Sequence, residues 1–458
     1  MIKIFNTKIH NINIAAFVLG MAFLISAVLG FFRNRLLASY FGAGNELDIY
    51  YAAFRIPDII TMVMVIGAVS AAIIPIFSEY LIVSREKAWK YFSNLLNVFL
   101  IFLIIVCAIA FLLAPFLISL IVPGFSQEKI NLTAQLARIM FLSPILLGIS
   151  VIISSILRVF KKFLITAMAP IMYNIGIIFG IIFFTPIYGI KGLALGVVLG
   201  SFLHLLIQIP ILLKTGFKPK KSLNFFDPGF IKTIKLTIPR SIGLIAGQIN
   251  FIVITIIASR LSVGSLAIFN LAESISRPVI NLVAVSFSAA TFPVLSILFL
   301  KKETEKFDNV FYSVFYKIFY STAFLSIFIF IFRNQIVSLI YETGKFTAND
   351  ARLTSACLGM FCIGLFAQNL ILLTTKAFYA KQNTKIPALI SIFGMLINIA
   401  FCYLFIYFLS FSNFFHQIFT NFLNIQNLSN IEIIGLPLAL SLSAIIQLFF
   451  LLFFLKKK

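Results

Sequence analysis

The sequence predicts an all-α polytopic membrane protein, with about twelve transmembrane helices in two six-helix lobes that are related by a parallel internal repeat. Three observations predict this class. Hydrophobic residues make up 61% of the 458 residues, and the mean hydropathy of +1.09 lies far above that of soluble globular chains. Apolar runs recur at the length of about 20 residues that a bilayer requires. Short motifs of the first half also return in the second half.

Twelve apolar runs predict the transmembrane helices. Prolines lie inside several of these runs, which indicates kinked or tilted helices whose freed carbonyls are satisfied by neighbouring helices or water. The predicted spans are 12–32, 49–78, 93–122, 131–157, 164–187, 190–213, 236–260, 266–298, 314–341, 351–377, 385–410 and 433–455.

The distribution of lysine and arginine predicts the orientation. An even number of spans places both termini on one side, and most loop cations fall on that side, which the positive-inside rule assigns to the cytoplasm. The net charge of +22 therefore reflects topology, and no nucleic-acid partner is expected. The opposite side holds only Arg33, Arg35, Lys129, Lys191, Arg260, Lys345 and Arg352.

An internal repeat divides the chain into two halves. IPIFSEY at 74–80 matches FPVLSIL at 292–298, and further pairs follow at an offset of roughly 220 residues, as in duplicated transporters. The predicted domains are an N-terminal lobe at 1–213, a basic cytoplasmic linker at 214–235 and a C-terminal lobe at 236–458. Each lobe has six spans, so both copies enter the membrane in the same direction.

Two segments interrupt the repeat. The Asn-rich stretch 410–432 on the outer side is predicted to be a surface loop or an interfacial helix, because it is too polar and short to span. The basic charge of the linker 214–235 is explained by topology alone. The alternative is that its segment FFDPGFIKTIKLTI begins a helix that lies on the membrane and contacts anionic lipid headgroups.

Charged residues recur at helical spacing on the second predicted span. Asp48, Tyr51, Arg55 and Asp58 are three and four residues apart, so they share one helix face. Ionisable groups at membrane depth are costly and are retained where they face a cavity or a partner. This face is therefore a candidate wall of a wet central cleft; the alternative is that Arg55 only pairs with Asp58.

A second polar face lies on the eighth predicted span. Asn270, Glu273, Arg277 and Asn281 repeat the same spacing on this span. Further candidate wall residues on the seventh span are Gln248 and Asn250. Arginine suits planar binding of phosphate or carboxylate, so Arg277 is a candidate substrate ligand. The alternative is that Glu273 and Arg277, at i and i+4, simply neutralise each other.

Enzyme chemistry and bound cofactors are not expected. The histidines and cysteines show no metal-ligand spacing, and no Walker-type phosphate loop is present, so ATP bound by this chain is not the expected energy source. Coupling to the membrane potential, Na⁺ or H⁺ is the remaining expectation. These isolated residues are His10, His204, His416, Cys107, Cys357, Cys362 and Cys402.

Three stretches carry a resemblance to a known family. They are LGFFRNRLLASYFGAGNELDIYYAAFRIPD, GAVSAAIIPIFSEY and FNLAESISRPVINLVAVSFSAATFPVLS. They resemble the MviN/MurJ family of lipid II flippases, within the superfamily of multidrug, oligosaccharidyl-lipid and polysaccharide exporters. The resemblance runs along nearly the whole chain. It implies that an undecaprenyl-pyrophosphate-linked peptidoglycan precursor is moved to the outer leaflet of the bacterial inner membrane by alternating access.

The resemblance also implies site residues. Arg33 stands where the family has a cavity arginine after LGF, and Arg55 occupies a basic position before Ile56-Pro57. Asp48 and Glu273 match acidic positions of the family. The residues predicted to hold the arginines or to take part in ion coupling are Asp48, Asp58 and Glu273. For Arg33 the alternative is that it anchors the end of the first helix at the membrane interface.

The sequence departs from the family pattern at several positions. Thr61 and Ser274 stand where the family commonly carries cavity arginines, and Arg277 lies about one helical turn from Ser274 on the same face. The family often has two further C-terminal helices, which this sequence does not show after the twelfth span. These departures concern the identity of the lipid substrate and leave the transporter class in place.

Three functions remain open from the sequence. The first is a lipid II flippase that acts as a monomeric transport unit, the second a flippase for another polyprenyl-linked oligosaccharide, and the third a cation-coupled multidrug exporter. An exporter of cationic drugs favours an acidic, aromatic cavity. The mixture of Arg33, Arg55 and Arg277 with Asp48, Asp58 and Glu273 favours an anionic headgroup.

Overall fold

The computed structural model describes residues 12–62, 69–411, 413–426 and 428–456. Within these residues the chain is helical, without strands, and ten helices are long and apolar enough to cross a membrane. Two shorter apolar helices, Ala72–Val83 and Gly247–Ser259, overlap the second and seventh predicted spans. The predicted all-α polytopic class is confirmed. The internal repeat stays a prediction.

Two compact units make up the chain. The first contains Met1–Leu37 and Ile49–Gln248, and the second contains Ala38–Asp48 and Ile249–Lys458. The boundary falls inside a helix and not in the predicted linker, and a short N-terminal segment belongs to the second unit. The units are defined by packing, whereas the predicted domains are defined by hydropathy and the repeat. The two divisions therefore differ at the segment Ala38–Asp48 and at the boundary after Gln248.

Twelve helices carry the described part of the first unit, of which α1, α2 and α12 continue into the second. They are α1 (Ile12–Phe41), α2 (Asn45–Thr61), α3 (Val69–Val83), α4 (Arg85–Leu112), α5 (Ala114–Ile121), α6 (Gln127–Met140), α7 (Leu142–Val159), α8 (Phe163–Phe179), α9 (Thr185–Tyr188), α10 (Ile190–Leu206), α11 (Ile209–Lys214) and α12 (Pro228–Ser259).

Helix α8 and the π-helical segment Gly180–Phe184 that continues it pack on α10 through glycines. A Cβ atom added to Gly176 would lie 2.3 Å from the Cα of Gly200, and one added to Gly180 would lie 2.3 Å from the Cα of Gly196. The four glycines form two i, i+4 pairs on facing helices. Small residues of this kind let helix backbones approach closely where lipid gives no hydrophobic drive for association.

The predicted linker at 214–235 is folded onto α4. The Asn94 side chain donates to the backbone carbonyl of Asn224 at 2.8 Å and accepts from the Asn224 N–H at 2.6 Å. Further along, the hydroxyls of Tyr91 and Thr233 lie 2.7 Å apart. Helix α12 begins at the end of this segment, where the sequence predicts a helix start. Whether the segment lies on a membrane surface stays a prediction.

Eight further helices form the described part of the second unit. They are α13 (Ser265–Val279), α14 (Ser286–Leu300), α15 (Thr304–Ile331), α16 (Arg333–Tyr341), α17 (Ala348–Ala380), α18 (Lys385–Leu409), α19 (Phe414–Leu423) and α20 (Gly435–Lys456).

Helix α17 is the central helix of the second unit. Of the ten candidate spans among the described residues it is the most buried, since 72% of its most apolar stretch is covered by the rest of the protein. Gly364 lets α20 approach, since a Cβ there would lie 2.4 Å from the Cα of Ser441. The Ser441 hydroxyl donates to the carbonyl of Met360 at 2.7 Å. Thr347 and Asp350 cap the start of α17 reciprocally.

The insertion at 410–432 contains a helix. Helix α19 occupies its middle, capped by Asn413, which accepts from the N–H of His416 at 2.8 Å. The ring of Phe422 packs on Phe330 with centroids 5.5 Å apart, so α19 rests on α15. The predicted position of this segment at the membrane interface stays a prediction.

Candidate functional site

Arg33 lies near the end of α1, held by two asparagine side chains. Its Nη1 donates to the Oδ1 of Asn174 on α8 at 3.1 Å, and its Nε and Nη2 donate to the Oδ1 of Asn34 at 3.2 and 3.0 Å. Among the described residues no carboxylate lies within ion-pair distance of Arg33. The half-buried guanidinium is therefore oriented by neutral amides, which do not offset its charge.

Asn174 is itself fixed. Its amide nitrogen donates to the hydroxyl and carbonyl oxygens of Ser26 at 3.1 and 3.2 Å and to the carbonyl of Pro170 at 3.2 Å. The amide oxygen is thereby turned towards Arg33. The sequence interpretation missed this residue as a functional one, although a polar side chain inside the apolar predicted span 164–187 is a signal of buried polar structure.

Two tyrosines and an acid lie near Arg33. Tyr173, next to Asn174 on α8, is within electrostatic reach of Arg33, of Asp58 and of the buried Tyr50. Asp58 is half-buried on α2. The first unit therefore brings together Arg33 and Asp58, two of the predicted site residues, beside two phenolic hydroxyls. The guanidinium and the two phenolic hydroxyls can donate hydrogen bonds to an anionic group, whereas an ionised Asp58 can only accept them.

Arg55 is half-buried on α2, one turn before Asp58. Its predicted position facing a central water-accessible cleft stays a prediction. Thr61, which stands where the resemblance implies an arginine, is buried and donates its hydroxyl to the carbonyl of Pro57 at 2.8 Å. A threonine that bonds its own helix backbone supplies no charge for a substrate, so Thr61 does not replace the missing arginine.

Asp48 caps a helix of the second unit. Its side chain is 2% exposed, and its two carboxylate oxygens accept from the backbone N–H groups of Gly264 and Ala267 at 2.8 and 2.9 Å. These are orphan donors at the amino-terminal end of α13, where the helix dipole also favours negative charge. The sequence predicts Asp48 as a charge partner or ion-coupling residue, and the structure shows this capping role, which pattern alone did not indicate.

Gly264 is required at that position. Its φ of +89° lies in the left-handed region, and a Cβ there would stand 2.1 Å from the carbonyl oxygen of Ala43. The same short segment, Ala38–Asp48, is also bonded through Ser39, whose carbonyl accepts from the N–H of Lys345 at 2.9 Å. The segment is thus an integral part of the second unit.

Arg277 and Glu273 form an ion pair on α13. The Arg277 Nη2 lies 2.5 Å from the Glu273 Oε1, and the arginine side chain is 47% exposed, against 15% for the glutamate. The guanidinium also lies 5.6 Å from the centroid of the Phe251 ring. The structure therefore contains the neutralising pair that the i, i+4 spacing allows, and substrate binding by Arg277 stays a prediction.

The remaining predicted wall residues have local roles. Asn270 is buried and donates to the carbonyl of Leu266 at 2.6 Å. Ser274, which also stands at an implied arginine position, shares a 2.7 Å hydrogen bond with the Tyr341 hydroxyl. Gln248 is half-buried on α12. Asn250 accepts from the Nδ2 of Asn398 at 2.6 Å. The side chain of Asn281, on the predicted face, lies outside the described residues.

The fold identifies a class of protein. An inward-facing multidrug resistance MATE family transporter of the MOP superfamily matches with a TM-score of 0.70 at 14% identity, over 96% of this chain and 98% of that chain. At this identity the match shows the fold alone, which is an all-α fold of membrane-spanning helices. A solved structure of the lipid II flippase MurJ in an inward closed conformation matches with a TM-score of 0.78 at 27% identity, over 96% of this chain and 87% of that chain.

Sequence comparison identifies the family. The family model described as lipid II flippase MurJ matches residues 37–458, so the chain belongs to the lipid II flippase MurJ family. A probable lipid II flippase MurJ of Buchnera aphidicola subsp. Acyrthosiphon pisum is 30% identical over 380 residues, covering 82% of this chain and 74% of the relative. The lipid II flippase MurJ of Burkholderia cenocepacia is 27% identical over 383 residues, with 82% and 74% covered. The family consists of transporters, so the prediction that the chain is not an enzyme is confirmed.

Proposed function

We propose that this protein moves lipid II, an undecaprenyl-pyrophosphate-linked peptidoglycan precursor, from the inner to the outer leaflet of the bacterial inner membrane by alternating access. The substrate class follows the family, since a lipid-linked glycan is what its members carry. Both termini are cytoplasmic in this proposal, as the lysine distribution predicts. The transport unit is a single chain.

The geometry of Arg33 carries the proposal. A pyrophosphate cannot enter an apolar environment without partners, because burying unpaired charge costs many kcal/mol. Arg33 is held by the amides of Asn34 and Asn174 and has no carboxylate within ion-pair distance among the residues described. A cation that is positioned but not neutralised replaces lost hydration with charge-assisted hydrogen bonds. Arg33 is therefore the first contact for the pyrophosphate.

The other charged residues take supporting roles in this proposal. Arg55 is the second headgroup ligand, and Arg277 supports binding when its pair with Glu273 opens. Asp58, which lies within electrostatic reach of Tyr173 as Arg33 does, is a charge partner for the arginines of the first unit in this proposal. Arg277 is a weaker candidate for headgroup binding than Arg33, because its guanidinium already forms an ion pair with Glu273 at 2.5 Å.

Related structures support alternating access. Transporters of the same fold are described in an inward-facing and in an outward-facing conformation, with TM-scores of 0.70 and 0.63. For this chain we propose the same exchange, with the membrane potential as an energy source. If one net negative charge crosses fully, the potential contributes about 2.3 kcal/mol per 100 mV to outward movement. Coupling to Na⁺ or H⁺ is the alternative.

The direct test is charge-specific. Arg33→Ala is expected to lower lipid II flipping in proteoliposomes about tenfold or more, because a hydrogen bond to a charged group contributes about 1.5–3 kcal/mol and 1.4 kcal/mol is tenfold. Arg33→Lys keeps the charge and is expected to retain part of the activity. Arg35→Ala, which removes a cation from the same helix, is the matched control. Flipping by Arg33→Ala at the parental rate, at equal protein level, would contradict the proposal.

A second experiment separates the open functions. We expect the chain to restore growth and precursor export in a strain depleted of its own lipid II flippase. Growth without restored export of the precursor would favour a flippase for another polyprenyl-linked oligosaccharide. Increased drug resistance without restored export of the precursor would favour the multidrug exporter.

A further inference from the structure

An apolar groove opens on the first unit, away from Arg33 and its partners. Its volume is about 840 Å³, and its walls come from α4, α6, α7 and α10. Ile104, Phe111, Leu142 and Leu195 line it and are all more than a third exposed. These helices belong to candidate membrane spans, so the groove lies where lipid chains are the surrounding solvent.

Two cations stand at this groove. Arg138 on α6 and Lys191 on α10 are among its lining residues. The Arg138 Nε donates to the carbonyl of Phe111 at 3.1 Å, and the guanidinium carbon lies 5.2 Å from the Phe111 ring centroid. These contacts fix the guanidinium against one wall and leave its two terminal nitrogens for a ligand. Lys191 is exposed, and among the described residues neither cation forms an ion pair.

The two cations belong to the same end of the spans. Arg138 is bonded to Phe111 at the end of α4, and Lys191 is the second residue of α10. In the predicted orientation this end is the outer one, where loop cations are few. A pair of cations that converges on an apolar groove there is not explained by the positive-inside rule.

We propose that this groove binds an anionic glycerophospholipid, with an acyl chain along the apolar walls and the phosphate on Arg138 and Lys191. Charge complementarity carries this choice. Arginine binds phosphate in a planar, bidentate manner, and lysine adds a point charge. The volume lies within the range of roughly 300–1,000 Å³ of pockets that enclose most of one ligand. The bound lipid is a resident of the transporter and not its cargo.

Binding is measured on the purified full-length protein by native mass spectrometry. The probes are phosphatidylglycerol and phosphatidylcholine with identical acyl chains. We expect phosphatidylglycerol to bind about tenfold more tightly, a difference that corresponds to 1.4 kcal/mol. The double variant Arg138→Gln, Lys191→Gln is expected to abolish this preference, and Arg138→Lys to keep part of it.

Two further variants sharpen the test. Lys129→Gln removes a cation from the same helix α6, at a residue whose ammonium lies 3.7 Å from the Phe125 ring and outside the groove lining, and is expected to keep the preference. Ala108→Trp fills the groove from an exposed position and is expected to weaken binding of both lipids.

Three results would overturn the proposal. The first is equal binding of the two phospholipids by the parent protein, which indicates ordinary annular lipid. The second is an unchanged preference in the double variant or unchanged binding in Ala108→Trp. The third is tighter binding of a polyprenyl phosphate than of phosphatidylglycerol, lost in the double variant, which would assign the groove to the tail of a transported lipid.

Discussion

Arg33 and Arg277 show how differently two arginines of one chain are held. Arg33 is oriented by the neutral side chains of Asn34 and Asn174, whereas Arg277 lies 2.5 Å from the carboxylate of Glu273. An amide fixes the direction of a guanidinium and leaves its charge, but a carboxylate fixes the direction and cancels the charge. An anionic ligand therefore meets no competitor at Arg33 and must displace an acid at Arg277.

Asp48 gives a prediction at the same scale. Asp48→Ala leaves the N–H groups of Gly264 and Ala267 unsatisfied in a buried place, so we expect a loss of about 1–3 kcal/mol in stability. Asp48→Asn keeps one acceptor and is expected to lose less. The measurement is the thermal unfolding midpoint of the purified protein. Glu46→Gln, an exposed acid in the same first turn of α2, is the control.

An ion-coupling role for Asp48 predicts a different result for these variants. In that case Asp48→Asn would unfold at the parental temperature but lose the dependence of flipping on the coupling ion or potential. Equal midpoints for Asp48→Ala, Glu46→Gln and the parent would show that capping by this carboxylate does not stabilise the protein.

Among the elements, the α8–α10 pair depends most directly on side-chain size. Gly176→Ala places a Cβ 2.3 Å from the Cα of Gly200, so the helices must separate, and we expect a cost of about 1–3 kcal/mol. The lowered unfolding midpoint should appear in scanning fluorimetry of the purified protein. Asn174, the partner of Arg33, is on the same helix, so this substitution is also expected to slow flipping.

Gly20→Ala is the matched control for this pair. It makes the same chemical change inside a helix, α1, but a Cβ at Gly20 has nothing within 4 Å. Alanine has the higher helix propensity, so this variant is expected to be neutral or slightly more stable. If both variants behaved alike, the close approach of α8 and α10 would not be what limits residue size at Gly176.

For the molecule as a whole, the linker at 214–235 is a bound segment of the first unit. Asn94→Leu removes both hydrogen bonds to Asn224, each of which contributes about 1 kcal/mol. Trypsin cleavage at the linker lysines is expected to accelerate about thirtyfold, because the two bonds together contribute about 2 kcal/mol and 1.4 kcal/mol of local opening is tenfold in population. Asn131→Leu, at an exposed position on α6, should leave the rate unchanged. Equal rates for both variants would mean that Asn94 does not hold the linker.

The sequence predicts what depends on local pattern. Apolar runs predicted the all-α membrane class, and three sequence motifs, the first of which contains Arg33, predicted the family, since both are properties of neighbouring residues. The partners of the site residues were not predictable. Asn174 lies 141 residues from Arg33, and Gly264 lies 216 residues from Asp48. Such pairs are set by packing between distant helices, and spacing within one helix carries no information about them.

Because Ala38–Asp48 belongs to the second unit, the protein cannot be divided into an N-terminal and a C-terminal fragment that each contain one whole unit. The polypeptide passes from one unit to the other three times, after residues 37, 48 and 248. A C-terminal fragment that starts at residue 249 therefore lacks the carboxylate that caps its own helix α13 and the Ser39 carbonyl that binds Lys345. Division of the chain after residue 248 therefore does not give two complete structural units. The N-terminal fragment carries Ala38–Asp48, the segment that completes the second unit.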